Sequence, residues 1–174
     1  TIGGVGLIDD WSRMARIGFS AEGEDIFLIG APAGWGTHLG QSAFLRELFG
    51  RKHGTVPHVD LALERKAGDF VRGLIRDGVV SAVHDLSDGG LGVALAEMAI
   101  ASGIGATIST PENGSPLAAF FGEDQARYLV TAGAGQREAI ERRSGDVAVH
   151  RIGATGGLAL KLGEARAISV AELK

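Results

Sequence analysis

The chain is organised around Val83-His84-Asp85-Leu86-Ser87-Asp88-Gly89-Gly90-Leu91-Gly92. This stretch holds one histidine, two aspartates, one serine and three glycines between a short apolar run and an Ala/Leu-rich segment. In α/β proteins, a buried strand followed by a polar glycine-rich turn and a helix places functional groups at the carboxyl end of the strand. The pattern therefore predicts a strand over 79–83, a turn that carries the functional groups, and a buried helix over 90–101 that ends at Gly103.

The rest of the chain has the pattern of a sheet and helices that support this turn. Apolar runs of strand length predict strands over 25–30, 105–109, 127–131, 147–152 and 158–162. Helical spacing predicts a short helix after Ser42, a long one capped by Asp60, and two more over 115–121 and 136–143. Gly156-Gly157 is typical of a hairpin turn, which would pair the last two strands. The expected fold class is α/β (α+β), with helices packed on a mixed β-sheet.

Composition excludes several classes of protein. The 174 residues suit one domain over 1–174, and because the chain opens in mid-pattern at Thr1 we expect a fragment of a longer polypeptide. The net charge is −4 and the basic residues are scattered, which argues against nucleic-acid binding. No apolar run approaches the roughly 20 residues that span a bilayer. The lack of cysteine excludes disulfides and thiol catalysis and is compatible with a reducing cytosol, so we expect a cytoplasmic protein.

The acidic turn predicts an anion site that works through a cation. A helix amino terminus attracts anions, and glycines let a ligand approach the backbone. Asp85 and Asp88 would repel a phosphate, so Mg²⁺ should lie between them and a bound nucleotide. The alternative is purely structural: Ser87 or Asp88 only caps the helix, Asp85 satisfies the turn backbone, and His84 hydrogen-bonds in the sheet. The residues alone leave both readings open.

Two further segments are weaker candidates. Glu123 and Gln125 place an acid and an amide directly before a predicted strand, where a solvated turn is the simpler interpretation. Gly40-Gln41-Ser42 at a helix start could bind a small anion, although a glycine entry loop with a serine cap is the more common arrangement. The remaining histidines have no spacing that suggests a metal site.

Taken together, the motifs resemble one family. They are, in order, Gly40-Gln41-Ser42, Gly68-Asp69-Phe70-Val71, His84-Asp85-Leu86-Ser87-Asp88-Gly89-Gly90-Leu91, Ala96-Glu97-Met98-Ala99 and Phe121-Gly122-Glu123-Asp124-Gln125-Ala126-Arg127-Tyr128-Leu129-Val130. Their order and spacing resemble phosphoribosylformylglycinamidine synthase, and specifically the second, C-terminal domain of the AIR-synthetase-related C-domain type in its large subunit. The match runs over most of the chain.

The resemblance implies an ATP-dependent ligase of purine biosynthesis. In that family ATP and Mg²⁺ activate the amide oxygen of formylglycinamide ribonucleotide, and ammonia from glutamine replaces it to give the amidine. The implied partners are the remaining synthetase domains of the same polypeptide, a glutaminase subunit and a small accessory subunit. The implied fold is a mixed sheet with helices, paired with an ATP-binding N-domain in a pseudo-symmetric arrangement.

The resemblance also limits what this domain does alone. In the family the catalytic histidine and most ATP and metal ligands lie on N-domains, and the substrate loop of the related first C-domain reads Glu-Ser-Gln where this chain has Glu123-Asp124-Gln125. The added negative charge disfavours phosphate, which suggests the structural, non-turning-over nucleotide site. We therefore expect no catalytic residue here. The candidate nucleotide or phosphate contacts are Asp85, Ser87, Asp88, Gly89, Gly90, Glu123 and Gln125, with Asp85 and Asp88 as metal ligands.

Two rival functions remain at this point. One is a sister enzyme of the same superfamily, such as AIR synthetase, selenophosphate synthetase or thiamine-monophosphate kinase. The other is a purely structural or interaction domain, in which the acids of the turn affect stability alone.

Overall fold

A computed structural model describes residues 3, 5–8 and 10–174. Its strands are β1 (Asp25–Ile29), β2 (Ala82–Asp85), β3 (Ala106–Ile108), β4 (Tyr128–Ala132), β5 (Val149–Thr155), β6 (Ala159–Leu162) and β7 (Ile168–Ser169). Its α-helices are α1 (Ala43–Phe49), α2 (Leu61–Arg76), α3 (Gly90–Ser102), α4 (Pro116–Phe121), α5 (Arg137–Arg143) and α6 (Val170–Leu173), with 3₁₀ turns at Trp11–Arg13 and Ala134–Gln136. Within these residues no helix is long and apolar enough to cross a membrane.

The strands form one mixed sheet in the order β2-β4-β1-β5-β3-β6-β7. All neighbouring pairs are antiparallel except β3 and β6, which run parallel. The expected mixed sheet with packed helices, an α+β fold, is therefore confirmed.

The interior strand β1 is apolar from Ile26 to Ile29, and its burial on both faces explains this pattern. Ile26 and Leu28 face the core that contains α3, whereas Phe27 and Ile29 face the core that contains α2, and all four are fully buried. Successive side chains of a strand point to opposite faces, so a strand covered on both sides has no polar alternation. Both helix layers are thus specified by one five-residue strand.

The two main helices differ in the way that their sequences predict. α2 buries one stripe, Ala67, Val71 and Leu74, against the sheet. α3 is buried on most sides, and Gly103 ends it in the left-handed conformation with a φ of 78°. The predicted cap of α2 at Asp60 is confirmed, and the predicted bounds of α3 are confirmed to within one residue.

The strand predicted over 79–83 is displaced toward its carboxyl end. β2 pairs with β4 from Ala82 opposite Thr131 to Asp85 opposite Tyr128. Val79 instead donates its N–H to the carbonyl of Leu74 and so completes the end of α2. Apolar side chains are needed both at the end of α2 and in β2. Hydrophobicity alone therefore does not show where the helix ends and the strand begins.

The predicted hairpin between the last two strands is wrong. β3 lies between β5 and β6, pairs with both, and prevents their contact. The Gly156-Gly157 segment reverses the chain across the end of β3, where Gly105 donates to the Gly157 carbonyl and accepts from the Gly156 N–H. A pattern of two strands and a glycine pair does not reveal that a third strand occupies the space between them.

Gly105 allows this crossing, and its replacement should weaken the fold. A Cβ at position 105 would lie 2.2 Å from the Ala159 carbonyl oxygen and 2.5 Å from its nitrogen. We expect Gly105→Ala to lower the free energy of unfolding in urea by about 2–3 kcal/mol, because a backbone contact cannot rotate away. Gly135→Ala is the matched control, since nothing lies within 4 Å of its added Cβ. Equal effects of the two substitutions would contradict this account of the sheet.

Candidate functional site

The turn between β2 and α3 has a geometry that the sequence only partly predicts. Asp85 is the last residue of β2, and Ser87 and Asp88 are exposed. The cap of α3 is Gly89, which has a φ of 82° and makes no side-chain capping bond. The interpretation of Ser87 or Asp88 as the helix cap is therefore wrong.

The two glycines of the turn are explained by close packing. Gly89 donates its N–H to Oε1 of Glu123 at 2.8 Å, and Gly90 donates to the Ser87 carbonyl at 3.0 Å. A Cβ at position 90 would lie 2.4 Å from the Gly122 carbonyl oxygen. Both amides already have internal partners, so the predicted ligand contacts of Gly89 and Gly90 remain predictions that these bonds do not support.

Glu123 joins the two helix ends that face the turn. Its Oε1 accepts from the N–H of Gly89 at 2.8 Å and from the N–H of Ala43, the first residue of α1, at 2.7 Å. Two helix amino termini thus stabilise one carboxylate through hydrogen bonds and their positive dipole ends. Glu123 fixes the position of α1 relative to α3, whatever else it contacts.

The Asp124 side chain contacts the loop of Thr37 and His38 and not the β2–α3 turn. Its carboxylate accepts from the N–H of Thr37 at 2.9 Å, from the Thr37 hydroxyl at 2.6 Å and from the N–H of His38 at 3.1 Å. Partial burial raises the pKa of Asp124, but these hydrogen bonds and the charge of Arg127 outweigh burial, so the pKa lies below its ordinary value of 3.8. The negative charge predicted to disfavour phosphate is therefore retained, and the loop donors and Arg127 stabilise it.

Arg127 is the largest fully buried side chain. Its guanidinium donates to the carbonyls of Trp35, Gly122 and Asp124 at 2.8, 2.6 and 2.9 Å. Burial lowers the pKa of Arg127, and the nearby carboxylates of Asp124 and Glu123 act in the opposite direction. The fork of donors fixes three loop positions at once, a role for which no local sequence signal exists.

Five predicted residues meet in one cavity of about 440 Å³. They are Asp85, Ser87, Asp88, Glu123 and Gln125. Other residues of its wall were not predicted as ligand contacts, among them Val56, Pro57, Glu64 and Tyr128. Among the described residues that line it, Arg127 is the only basic one, and three of its N–H groups already donate to carbonyls. The wall is therefore strongly acidic, and a phosphate would need a cation beside it.

The donor set fits Mg²⁺ in kind but does not complete a site. Carboxylate oxygens are the ligands that Mg²⁺ prefers, and it usually keeps waters and phosphate oxygens as well. In the described part of the chain, no three His, Asp or Glu side chains are grouped closely enough to hold a metal. Asp85 and Asp88 would thus supply only part of a coordination shell.

His84 does not bond within the sheet. Its Nε2 donates to Oε2 of Glu97 on α3 at 2.8 Å, and its Nδ1 lies 3.6 Å from Oδ1 of Asp85. Among the residues that the structure describes, this buried Nδ1 has no hydrogen-bond partner. The alternative in which His84 hydrogen-bonds in the sheet is therefore wrong, because its partner Glu97 lies on α3.

Glu64 and Tyr128 are functional candidates that sequence reasoning missed. The Tyr128 hydroxyl donates to Oε1 of Glu64 at 2.7 Å. Burial, this bond and the charges of Glu64 and Asp85 raise the pKa of Tyr128 to about 12. Glu64 lies one turn into α2, where a surface carboxylate is ordinary, so only the tertiary structure brings it to the cavity.

An irregular strap over residues 50–59 forms one side of the cavity. Gln41 donates from Nε2 to the Gly54 carbonyl at 2.6 Å, and His38 donates from Nε2 to the Thr55 carbonyl at 2.7 Å. Gln41 has a left-handed φ of 57°, and Ser42 caps α1 through its Oγ. The serine-cap interpretation of Gly40-Gln41-Ser42 is therefore confirmed, and Gln41 serves as a latch for the strap.

The similarity to known proteins covers the elements that form this cavity. The family model described as "AIR synthase related protein, C-terminal domain" matches residues 21–157. The chain belongs to this family. The match includes the β2–α3 turn, the strap and the 122–127 loop, which form the acidic cavity.

Curated relatives of this C-terminal domain are phosphoribosylformylglycinamidine synthase subunits PurL. The chain is 62% identical over 176 residues to that of Sinorhizobium fredii (strain HH103), covering 100% of the chain and 24% of the relative. It is 62% identical over 180 residues to that of Chelativorans sp. (strain BNC1), with the same coverage. The predicted resemblance is thus confirmed, and the chain spans about a quarter of the length of these relatives.

Solved structures agree in fold. Thermotoga maritima PurL complexed with FGAR superposes with a TM-score of 0.77 at 17% identity, covering 94% of this chain and 30% of that one. Thiamine-monophosphate kinase from Stenotrophomonas maltophilia K279a gives a TM-score of 0.54 at 22% identity, covering 87% and 54%. At these identities the comparison establishes the α+β fold.

The lowered pKa of Asp124 predicts acid sensitivity. A carboxylate whose pKa is lower in the folded state contributes stability above its unfolded pKa near 3.8 and loses it as pH falls through the folded pKa. We expect Asp124→Asn to reduce the free energy of unfolding at pH 7 by about 1–2 kcal/mol, allowing for partial exposure. In urea titrations, the difference in free energy of unfolding between the variant and the unmodified protein should become smaller below about pH 4. Glu112 is exposed, so Glu112→Gln is the control, and its free energy of unfolding should follow that of the unmodified protein at every pH. If the loss of stability in Asp124→Asn did not depend on pH, the lowered pKa assigned to Asp124 would be contradicted.

The hydrogen bond from Gln41 to the Gly54 carbonyl predicts that its loss makes residues 50–59 more susceptible to trypsin. Trypsin can cleave the strap after Arg51 and Lys52, which are both exposed. Asparagine tolerates a left-handed φ but is too short to reach the Gly54 carbonyl, so Gln41→Asn should speed cleavage about fivefold, as expected for a bond of about 1 kcal/mol. Gln136→Asn is the matched control. Unchanged rates in Gln41→Asn, measured by mass spectrometry of the fragments, would show that the latch does not hold the strap.

Proposed function

We propose that residues 1–174 form one domain of phosphoribosylformylglycinamidine synthase, an ATP-dependent ligase of purine biosynthesis. The observation that carries this proposal is 62% identity over the whole chain to subunits of that name. The whole enzyme would convert formylglycinamide ribonucleotide to its amidine with ammonia derived from glutamine. This domain would contribute one acidic wall of a nucleotide or phosphate cleft and would be inactive alone.

The chemistry assigns the cleft a binding role. Activating an amide requires that its oxygen be phosphorylated by ATP, so that ammonia can displace phosphate at the same carbon. Mg²⁺ would offset charge on the phosphate oxygens, and Asp85 and Asp88 are the residues that would hold it here. Ser87 and Gln125 line the same cavity and offer hydrogen-bond donors to a ligand.

The cofactors and partners of the whole enzyme are part of the proposal. The structural neighbours include Thermotoga maritima PurL complexed with ATP and a structure titled PurLQS from the same organism. We infer that ATP and Mg²⁺ are the cofactors, and that the partners are the other synthetase domains, a glutaminase subunit and a small accessory subunit. A purine-pathway ligase of this kind would act in the cytoplasm.

A purely structural domain is the second candidate. It is favoured by the internal bonds of Glu123 and Asp124, whose carboxylates fix helix ends and a loop. The two candidates differ at Asp85 and Asp88, because both side chains line the cavity and make no hydrogen bond to the α3 terminus. These two residues therefore provide the test.

The double substitution Asp85→Asn and Asp88→Asn in the full-length subunit separates the two candidates. If the acids hold a cation, magnesium-dependent ADP binding measured by calorimetry should weaken about tenfold or more, while the melting temperature stays close to the parent value. Asp146→Asn, an exposed acid outside the cavity, serves as the control. Unchanged ADP binding and amidine formation would favour the structural domain, and amidine formation by residues 1–174 alone would contradict an inactive domain.

A further inference from the structure

The loop between β3 and α4 contains Asn113, the one asparagine of the sequence, and Gly114 follows it directly. Both residues are exposed, and neither belongs to a strand or a helix. Asparagine before glycine is a reactive pair, because glycine has no side chain that would hinder attack of its backbone nitrogen on the asparagine side chain. The sequence therefore places one such pair in solvent.

The structure separates this pair from two related ones. Aspartate before glycine occurs at Asp77-Gly78 and at Asp88-Gly89. The first glycine donates its N–H to the Ile75 carbonyl at 3.0 Å, and the second donates to Oε1 of Glu123 at 2.8 Å. The N–H of Gly114, by contrast, donates to no acceptor in residues 3, 5–8 and 10–174. Its nitrogen is thus the one of the three that can react without first breaking a hydrogen bond.

The backbone of the loop requires the glycine. Gly114 has a φ of 100°, a conformation that residues with a side chain rarely adopt. A Cβ at Gly34 would lie 3.2 Å from the Asn113 carbonyl oxygen, so the main chain of Asn113 packs closely on the turn that precedes Trp35. The reactive pair is therefore a consequence of the loop geometry, since a bulkier residue after Asn113 would be strained.

We propose that Asn113 is a site of spontaneous deamidation. Base removes the proton of the Gly114 N–H, and the nitrogen attacks Cγ of Asn113 to close a five-membered succinimide ring. The bond from Cγ to the side-chain nitrogen breaks, and that nitrogen takes up the proton and leaves as ammonia. Water then opens the ring at either carbonyl, which gives aspartate or isoaspartate. The inference holds whatever ligand the acidic cavity binds.

The modification changes a loop that supports the fold. Either product adds a negative charge, and isoaspartate also lengthens the main chain by one methylene group. The added group lies between two fixed points, the contact with Gly34 and the side-chain cap that Ser115 provides for α4. Gly34 directly precedes Trp35, whose carbonyl accepts from Arg127. Isoaspartate at position 113 would therefore disturb the turn that Arg127 holds.

Prolonged warm incubation of the full-length subunit at neutral pH, followed by trypsin and mass spectrometry, tests the site. Trypsin releases residues 77–127 as one peptide, because Arg76 and Arg127 bound it. We expect this peptide to gain almost one dalton, with the change located at Asn113 and isoaspartate identified by electron-transfer fragmentation. Asn113→Gln should abolish the gain, because glutamine needs a slower six-membered ring. An unchanged mass, or a gain located only at Gln125, would overturn the inference.

A matched variant tests whether the structure selects the site. Asp77→Asn places the same asparagine–glycine pair where the glycine N–H is already donated to the Ile75 carbonyl. In the folded subunit we expect deamidation at position 77 to be about tenfold slower than at Asn113, as expected for loss of one hydrogen bond. In urea the two rates should become equal, and circular dichroism melting establishes that the variant folds. Equal rates in the folded subunit, or a difference that persists in urea, would refute selection by the free N–H of Gly114.

Discussion

The buried guanidinium of Arg127 is the interaction on which the arrangement of the cleft depends. A charge removed from water is tolerated only when its donors are satisfied, and three backbone carbonyls satisfy this one. Those carbonyls belong to the Trp35 loop and to the 122–124 segment, so both loops are fixed to the start of β4. Glycine at positions 36 and 122 permits the close approach, because a Cβ at either would lie within 2.5 Å of the Ala118 carbonyl oxygen.

From this anchor the acids of the 122–127 loop are directed in different ways. Asp124 holds the loop of Thr37 and His38, and Glu123 connects the amino termini of α1 and α3. Backbone donors hydrogen-bond both of these carboxylates, although Glu123 also lines the cavity. Asp85 and Asp88 line the same cavity, and among the described residues neither carboxylate accepts such a bond. Four acids that look alike in the sequence thus divide into two that build the cleft and two that are available to a cation.

Under the proposed function, the cleft would carry the family's motifs without containing a complete reactive centre. Its acidic wall needs a cation before it can accept phosphate, and its buried arginine is used by the fold. Under the proposed function such a surface would bind and position a ligand, while activation of a leaving group requires positive charge beyond what this wall provides. A chain that spans a quarter of its relatives' length is consistent with that division of labour.

The sequence by itself determined the elements, because a strand buried on both faces, an amphipathic α2 and a largely buried α3 each have a periodicity that can be read locally. It also marked Asp85, Ser87, Asp88, Glu123 and Gln125, since dense polar turns at element ends have a local signature. Only the tertiary structure decided the strand order, the insertion of β3, the internal bonds of Glu123 and Asp124, and the contribution of Glu64 and Tyr128. These features depend on contacts between residues far apart in the chain, and neither periodicity nor spacing records which distant backbone group a side chain will meet.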